Sequence, residues 1–117
     1  MRPGLEPGAS HTEVEALADL TELAAGFPID GLWALVALLE HAARKWMTAF
    51  MEPGEQSVGA RVAIERAMPR PEAEVVTTVA TLRELRGRRY VFDVELRNEG
   101  GELLARGTNE RAVIAVG

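Results

Sequence analysis

One long apolar stripe over residues 31–51 constrains the fold of this chain more than any other feature. Apolar side chains recur there at steps of three or four: Leu32, Leu35, Val36, Leu39, Ala43, Trp46, Met47 and Phe50. That spacing places them on one face of an α-helix. Asp30 is a good N-cap for this helix, and Pro53 with Gly54 ends it. A helix of this length measures about 30 Å, so the other elements of a small domain must wrap around it.

The chain after this helix has the pattern of β-strands. Alternating or β-branched residues predict four of them, at 56–68, 73–85, 89–97 and 102–116. Gly87 and the stretch 98–101 supply turns between the last three. Before the helix, residues 11–17 predict a short strand, and residues 18–26 are compatible with a helical turn or a loop. One helix followed by hairpin-linked strands predicts an α+β fold with a curved antiparallel sheet of about five strands packed on the helix.

Composition limits the classes of function. The chain has 117 residues, with 18 acids against 13 Lys and Arg, a net charge of -5 and no cysteine. Nucleic-acid and anionic-membrane partners are therefore not expected, and disulfides, thiolate catalysis and Cys-ligated zinc are excluded. Because no apolar run resembles a signal peptide or a membrane span, we expect a cytoplasmic protein. Residues 1–10, rich in Pro and Gly, predict a flexible N-terminal arm, and residues 11–117 predict a single domain.

Glu40 is a carboxylate set into the apolar helix pattern. At 100° per residue it lies about 80° from the centre of the stripe, on its margin. The ordinary interpretation is a flank glutamate paired with Arg44 one turn later, and the functional one is a general base or a ligand contact. His41 falls on the opposite face, and His11 lies in a separate segment. With no supporting ligand cluster, the two histidines predict no metal site.

Two stretches of the sequence resemble a known family. "LLEHAARKWMTAFMEPGEQSVGARV" and "GTNERAVI" are similar to the fluoroacetyl-CoA thioesterase-like branch of the hotdog-fold acyl-CoA thioesterases. The resemblance covers roughly residues 30 to 116. It implies a long central helix wrapped by a curved antiparallel sheet, and a homodimer or a dimer of dimers. It also implies hydrolysis of a small acyl-CoA without a metal or other cofactor, since CoA belongs to the substrate.

The resemblance implies that Glu40 is the catalytic carboxylate, acting as nucleophile or general base at the thioester carbonyl. Family members pair it with a Thr or Ser eight residues earlier and with a His on the strand after the Pro-Gly-Glu turn. This chain has Leu32 and Arg66 at those positions. Leucine has no hydroxyl, and an arginine stays charged and cannot shuttle a proton near neutral pH. Arg66 is therefore either a strand-end arginine, a partner of Glu40 in the same or the other subunit, or a contact for a substrate phosphate or carboxylate.

Five further positions enter the predicted site. In this family the amides at the helix start, here near Asp30 and Gly31, form the oxyanion hole, which agrees with the positive end of the helix dipole. Trp33 is predicted to line the pocket beside Glu40. The resemblance also places Gly59 at the subunit seam, for close approach of substrate or subunit, and Arg111 near the acyl-CoA entrance. From alternation alone, Gly59 is equally compatible with a β-bulge, and the apolar face of its strand is predicted to comprise Val58, Ala60, Val62 and Ile64.

Two functions of different class follow from these observations. The first is hydrolysis of a small acyl-CoA, with Glu40 as base or nucleophile. The alternative is a hotdog dimer that binds an acyl-CoA or small apolar acid without turning it over, which the absence of the Thr and His partners favours. A third and weaker reading is hydration or dehydration of an acyl thioester, which would require a histidine beside the acid.

Overall fold

Five strands and one helix make up the described structure. The computed structural model describes residues 1–16, 32–67 and 75–116, except for the side chain of Trp33. The elements in chain order are β1 (Ser10–Ala16), α1 (Leu32–Thr48), β2 (Glu55–Arg66), β3 (Val75–Arg86), β4 (Arg89–Arg97) and β5 (Leu103–Ala115). All four strands predicted after the helix are confirmed, as is the short strand before it. The stretch 18–26 lies outside the described residues.

The strands form one antiparallel sheet in the order β1-β3-β4-β5-β2. Tight turns join β3 to β4 and β4 to β5, and Gly87 and Gly101 adopt positive φ angles of 61° and 80° in them. Because β2 pairs with β5, the strand that follows the helix closes one edge of the sheet and β1 closes the other. This is the predicted hotdog arrangement, with α1 packed against all five strands.

The core lies between α1 and the sheet. The helix contributes Leu35, Leu38, Leu39, Ala43 and Met47, all at most 2% exposed, and they pack against strand residues that include Phe92. The predicted stripe is thus confirmed over its central turns. At the start of the helix Leu32 is 46% exposed, so the stripe does not continue into the core there. No helix in the described part of the chain is long and apolar enough to span a membrane.

A β-bulge changes the faces predicted for β2. The pairing of β2 with β5 shifts register between Gly59 and Arg61, which leaves one extra residue on β2. A bulge reverses the alternation of side chains that follows it. Ser57 therefore lies buried on the helix side of the sheet, while Val58 is 36% exposed. The predicted face of Val58, Ala60, Val62 and Ile64 was wrong for its first two members, because strict alternation does not anticipate an inserted residue.

The N-terminal segment packs onto the domain, which differs from the flexible arm expected for residues 1–10. Leu5 is 5% exposed and belongs to the core cluster. The backbone amides of Arg2 and Gly8 donate to the carbonyls of Phe50 and Leu82 at 2.7 and 2.8 Å. The α-amino group of Met1 also lies 2.7 Å from the Glu55 carboxylate. Pro and Gly content predicted disorder, but one buried leucine and these hydrogen bonds hold the segment in place.

Gly107 lies on β5 against the backbone of β2, where there is no room for a side chain. A Cβ atom added there would lie 2.1 Å from the carbonyl oxygen of Ala63, and neither backbone can yield without separating the two strands. We therefore expect Gly107→Ala to lower the free energy of unfolding by roughly 1–3 kcal/mol, the usual range for overpacking a tight site. Urea unfolding measures it. Gly100→Ala is the control, since its nearest neighbour would lie at 3.4 Å; equal stability of the two variants would contradict the steric argument.

Candidate active site

Glu40 lies on the margin of α1 that faces the junction of β2 and β5. Its side chain is 37% exposed, which agrees with the predicted position at the edge of the apolar stripe. The carboxylate Oε2 lies 3.4 Å from Nη1 of Arg111 and would lie 3.0 Å from a Cβ atom on Gly59. Glu40, Gly59 and Arg111 therefore form one cluster, drawn from three different elements of the fold.

Arg111 is the charged group that the fold buries most deeply in this cluster. Its side chain is 4% exposed. Nε donates to Oγ of Ser57 at 3.2 Å, Nη2 donates to the Ser57 carbonyl at 3.3 Å, and Nη1 donates to Glu40 at 3.4 Å. Burial lowers the pKa of Arg111, and the nearby charge of Arg44 lowers it further, while the Glu40 carboxylate opposes both effects. A buried cation needs such partners, because desolvation without them is costly.

The β-bulge positions Gly59 in the cluster. Gly59 lies opposite Arg111 in the pairing of β2 with β5, and the register shift follows directly. The side-chain amide of Asn109 donates to the carbonyl of Arg61 at 3.2 Å, so Asn109 ties β5 to the first residue paired after the bulge. Asn109 is fully buried, and its Oδ1 has no hydrogen-bond partner among the described residues. Because Gly59 has no side chain, the carboxylate of Glu40 can lie directly against the β2 backbone.

The structure brings together only part of the predicted site. Glu40, Gly59 and Arg111 meet. Among the hydrogen bonds of the described residues, the partner of Glu40 is Arg111 and not Arg44, the residue one helical turn later. Leu32 begins the helix two turns before Glu40. Asp30, Gly31 and the side chain of Trp33 lie outside the described part of the structure.

Arg66 does not lie near Glu40 of the same protomer. It pairs with Ala105, whereas Gly59 pairs with Arg111. Arg66 follows Gly59 by seven positions along the strand, and at about 3.3 Å per residue this amounts to roughly 23 Å. A contact between Arg66 and Glu40 within one chain is thus excluded by the length of β2.

Ser57, which bonds Arg111, and Asn109, which bonds β2 beside the bulge, are the buried polar residues that sequence reasoning missed. Both are small polar residues on strands. Unbroken alternation places Ser57 on the face opposite Val62 and Ile64, and the polarity of Asn109 gave no reason to expect it in the core. For Ser57 the available signal was Gly59 two residues later, since a glycine inside a strand often marks a bulge. For Asn109 the signal was weaker: its position along the last strand alternates in step with the apolar residues Ala105 and Val113.

Two other polar features lie apart from this cluster. His41 contacts Glu15 at 3.1 Å, and His11 contacts Glu13 at 2.7 Å and stacks on Trp46. Within the described ranges no group of three His, Asp or Glu residues is arranged to hold a metal ion. An open groove of about 660 Å³ has Asp93 and Glu95 in its lining. These residues alternate along β4 with the core residues Phe92 and Val94, so the groove lies on the face of the sheet away from α1 and Glu40.

Comparisons with known proteins agree on one family. The family model described as fluoroacetyl-CoA-specific thioesterase matches residues 28–116. The fluoroacetyl-CoA thioesterase of Streptantibioticus cattleyicolor is 36% identical over 80 residues, which cover 68% of this chain and 57% of that protein. The match to this curated relative therefore spans little more than half of the relative's length.

Solved structures give the same assignment. A fluoroacetyl-CoA thioesterase structure superposes with a TM-score of 0.78 at 29% identity, over 97% of this chain and 90% of that one. A point mutant of the fluoroacetyl-CoA-specific thioesterase, solved in complex with fluoroacetate and CoA, superposes with a TM-score of 0.76 at 28% identity, over 93% and 94% of the two chains. With its fold and a family match over residues 28–116, this chain belongs to the fluoroacetyl-CoA-specific thioesterase family of hotdog-fold proteins.

Proposed function

We propose that this protein is an acyl-CoA thioesterase that hydrolyses a small acyl-CoA, using Glu40 as the catalytic carboxylate. Water adds across the thioester, the C–S bond breaks, and the products are the free acid and CoA. The observation that carries the proposal is the carboxylate of Glu40, held between the buried guanidinium of Arg111 and the bare backbone of Gly59. Family membership supplies the reaction class, since the relatives are thioesterases and one was solved with fluoroacetate and CoA.

Glu40 has two chemically distinct routes to the thioester. As a nucleophile its carboxylate attacks the carbonyl carbon and forms a mixed anhydride, which water then hydrolyses. As a general base it takes a proton from a water that attacks the same carbon. Both routes need a carboxylate that is held in one orientation, and the contact with Nη1 of Arg111 at 3.4 Å supplies this constraint. Because the side chain of Glu40 is 37% exposed, a substrate can reach it.

The oxyanion of either route needs hydrogen-bond donors. Backbone amides at the start of the helix, near Asp30 and Gly31, suit this role because the first amides of a helix have no intrahelical acceptor. Leu32 and Trp33 would border the acyl group at the same end. CoA leaves as the thiol and belongs to the substrate, so the proposed reaction uses no metal or prosthetic group. The cytoplasmic location and the absence of nucleic-acid and membrane partners remain predictions.

A homodimer through β2 would complete the site. β2 is a 12-residue edge strand with one side unpaired in the described sheet, and such an edge is a template for pairing with another chain. Antiparallel pairing of two β2 strands about a twofold axis sets the end of one strand beside the beginning of the other. The partner subunit's Arg66 would thereby approach the first half of β2, which contains Ser57 and Gly59. There an arginine is well suited to a phosphate or carboxylate of the substrate.

Glu40→Gln tests the catalytic role directly. The amide keeps the shape of the side chain but can neither attack the thioester nor accept a proton, so we expect kcat to fall at least about 100-fold. The measurement is thiol release from a panel of short, branched and aromatic acyl-CoAs. Glu84→Gln on β3 is the control, because that side chain is 43% exposed and its ion pair among the described residues is with Arg86. Unchanged turnover in Glu40→Gln would remove Glu40 as the catalyst. If the wild-type protein shows no turnover but acyl-CoA raises its melting temperature, the alternative function is favoured, in which the protein binds an acyl-CoA without hydrolysing it.

Gly59→Ala tests the close packing of the carboxylate on β2. The added methyl would lie 3.0 Å from Oε2 of Glu40 and 3.7 Å from Nη1 of Arg111. The flexible carboxylate can move aside, so we expect a small change in melting temperature but a fall of about tenfold in kcat, because small displacements of a catalytic group are costly. Steady-state kinetics and thermal unfolding of the same preparation separate the two effects. A variant with full activity would show that the position of the carboxylate is not critical.

A heterodimer experiment tests the role proposed for Arg66. We expect Arg66→Ala to lower kcat/KM at least about tenfold, as for the loss of one charged contact to substrate. A heterodimer of one Glu40→Gln chain and one Arg66→Ala chain, purified with two affinity tags, then contains one intact site if Arg66 acts across the interface. Its activity should be about half that of the wild-type dimer. Activity no higher than that of the two parent variants would show that Arg66 does not act in trans.

A further inference from the structure

Ser57 is a buried residue that contacts Arg111 twice. It lies on β2, two residues before Gly59, and is 6% exposed. Its hydroxyl accepts a hydrogen bond from Nε of Arg111 at 3.2 Å, and its backbone carbonyl accepts another from Nη2 at 3.3 Å. Only the first of these bonds depends on the identity of the side chain. Among the described residues Ser57 makes no hydrogen bond to Glu40, which contacts Arg111 instead.

The two bonds fix the direction of the third guanidinium nitrogen. A guanidinium is planar, and its five N–H donors have a rigid arrangement. When Nε and Nη2 are both held by one residue, rotation of the plane is prevented and Nη1 is directed at Oε2 of Glu40, 3.4 Å away. The Ser57 hydroxyl thus determines where the positive charge lies relative to the carboxylate. One bond to the backbone carbonyl alone would still permit the guanidinium to turn about that contact.

We propose that Ser57 is a positioning residue for catalysis, which acts on Glu40 through Arg111. The inference rests on the proposed thioesterase function and names a residue that the resemblance does not assign. Leu32 leaves this chain without a hydroxyl at the helix position where the family has one. In this chain the hydroxyl that orients the Glu40 carboxylate is that of Ser57, which lies on a strand and acts through the Arg111 cation.

Substitution of Ser57 separates positioning from stability. In Ser57→Ala the buried Nε–H loses its acceptor, so the guanidinium can rotate and the carboxylate loses its fixed orientation. We expect kcat to fall about tenfold while KM stays within about twofold, because the chemical step is affected and not the binding of substrate. Ser57→Thr retains the hydroxyl and should restore kcat to within about threefold of wild type. Ser10→Ala is the control. Ser10 makes one exposed hydrogen bond to Thr81, and it lies on β1, at the opposite edge of the sheet from β2.

A second measurement reports on Arg111 without reference to turnover. With ¹⁵N-labelled arginine, we expect the Nε–H proton of Arg111 to exchange slowly with water in the wild-type protein and in Ser57→Thr, and rapidly in Ser57→Ala. If the wild type is active, either of two results for Ser57→Ala would overturn the positioning role alone. One is an unchanged kcat, and the other is an Arg111 Nε–H that exchanges as slowly as in the wild type. A fall in kcat that Ser57→Thr does not reverse, in a folded variant with a protected Nε–H, would overturn it as well. A wild type without any thioester hydrolysis would overturn the proposed function and the inference together.

Discussion

The buried charge of Arg111 is the constraint on which the site depends. A guanidinium that is 4% exposed must replace the hydrogen bonds of water with bonds to the protein. β2 supplies two of them through a single residue, Ser57, and α1 supplies the third through Glu40. The cation therefore links a strand edge to the helix. It also explains why a carboxylate is acceptable on the margin of an otherwise apolar helix face.

This linkage requires an irregular strand. In a regular β2, Ser57 and Gly59 would share a face with Arg61 and Ala63. The bulge after Gly59 instead lets Ser57 and Gly59 face the helix together with Val62 and Ile64 further along. Asn109 stabilises this geometry with a bond to the carbonyl of Arg61. Bulges are frequent beside active sites because they re-aim a side chain without disturbing the rest of the sheet.

The same strand has a second consequence, since it is one of the two edges of the described sheet and pairs there with β5 on one side. The first half of β2 contributes Ser57 and Gly59 to the surroundings of Glu40, and Arg66 is the last residue, at the opposite end of the strand. A protein that uses both halves in one reaction needs two antiparallel copies of the strand. The proposed dimer is thus related to the proposed chemistry by the length of β2, which is too great for the two ends to meet within one chain. The dimer also offers a small domain additional buried surface.

The sequence by itself determined the element order, the single long helix and the place of Glu40, because these follow from hydrophobic periods that each element displays locally. With the family resemblance it also named Gly59 and Arg111 as candidates for the site, and both lie beside Glu40 in the structure. Only the tertiary structure decided that Arg111 is the partner of Glu40, that Ser57 faces inward, and that Arg66 lies a strand length away. Those facts depend on the register between β2 and β5 and on one inserted residue. A local pattern does not record them, because register is fixed by packing between strands nearly fifty residues apart in the chain.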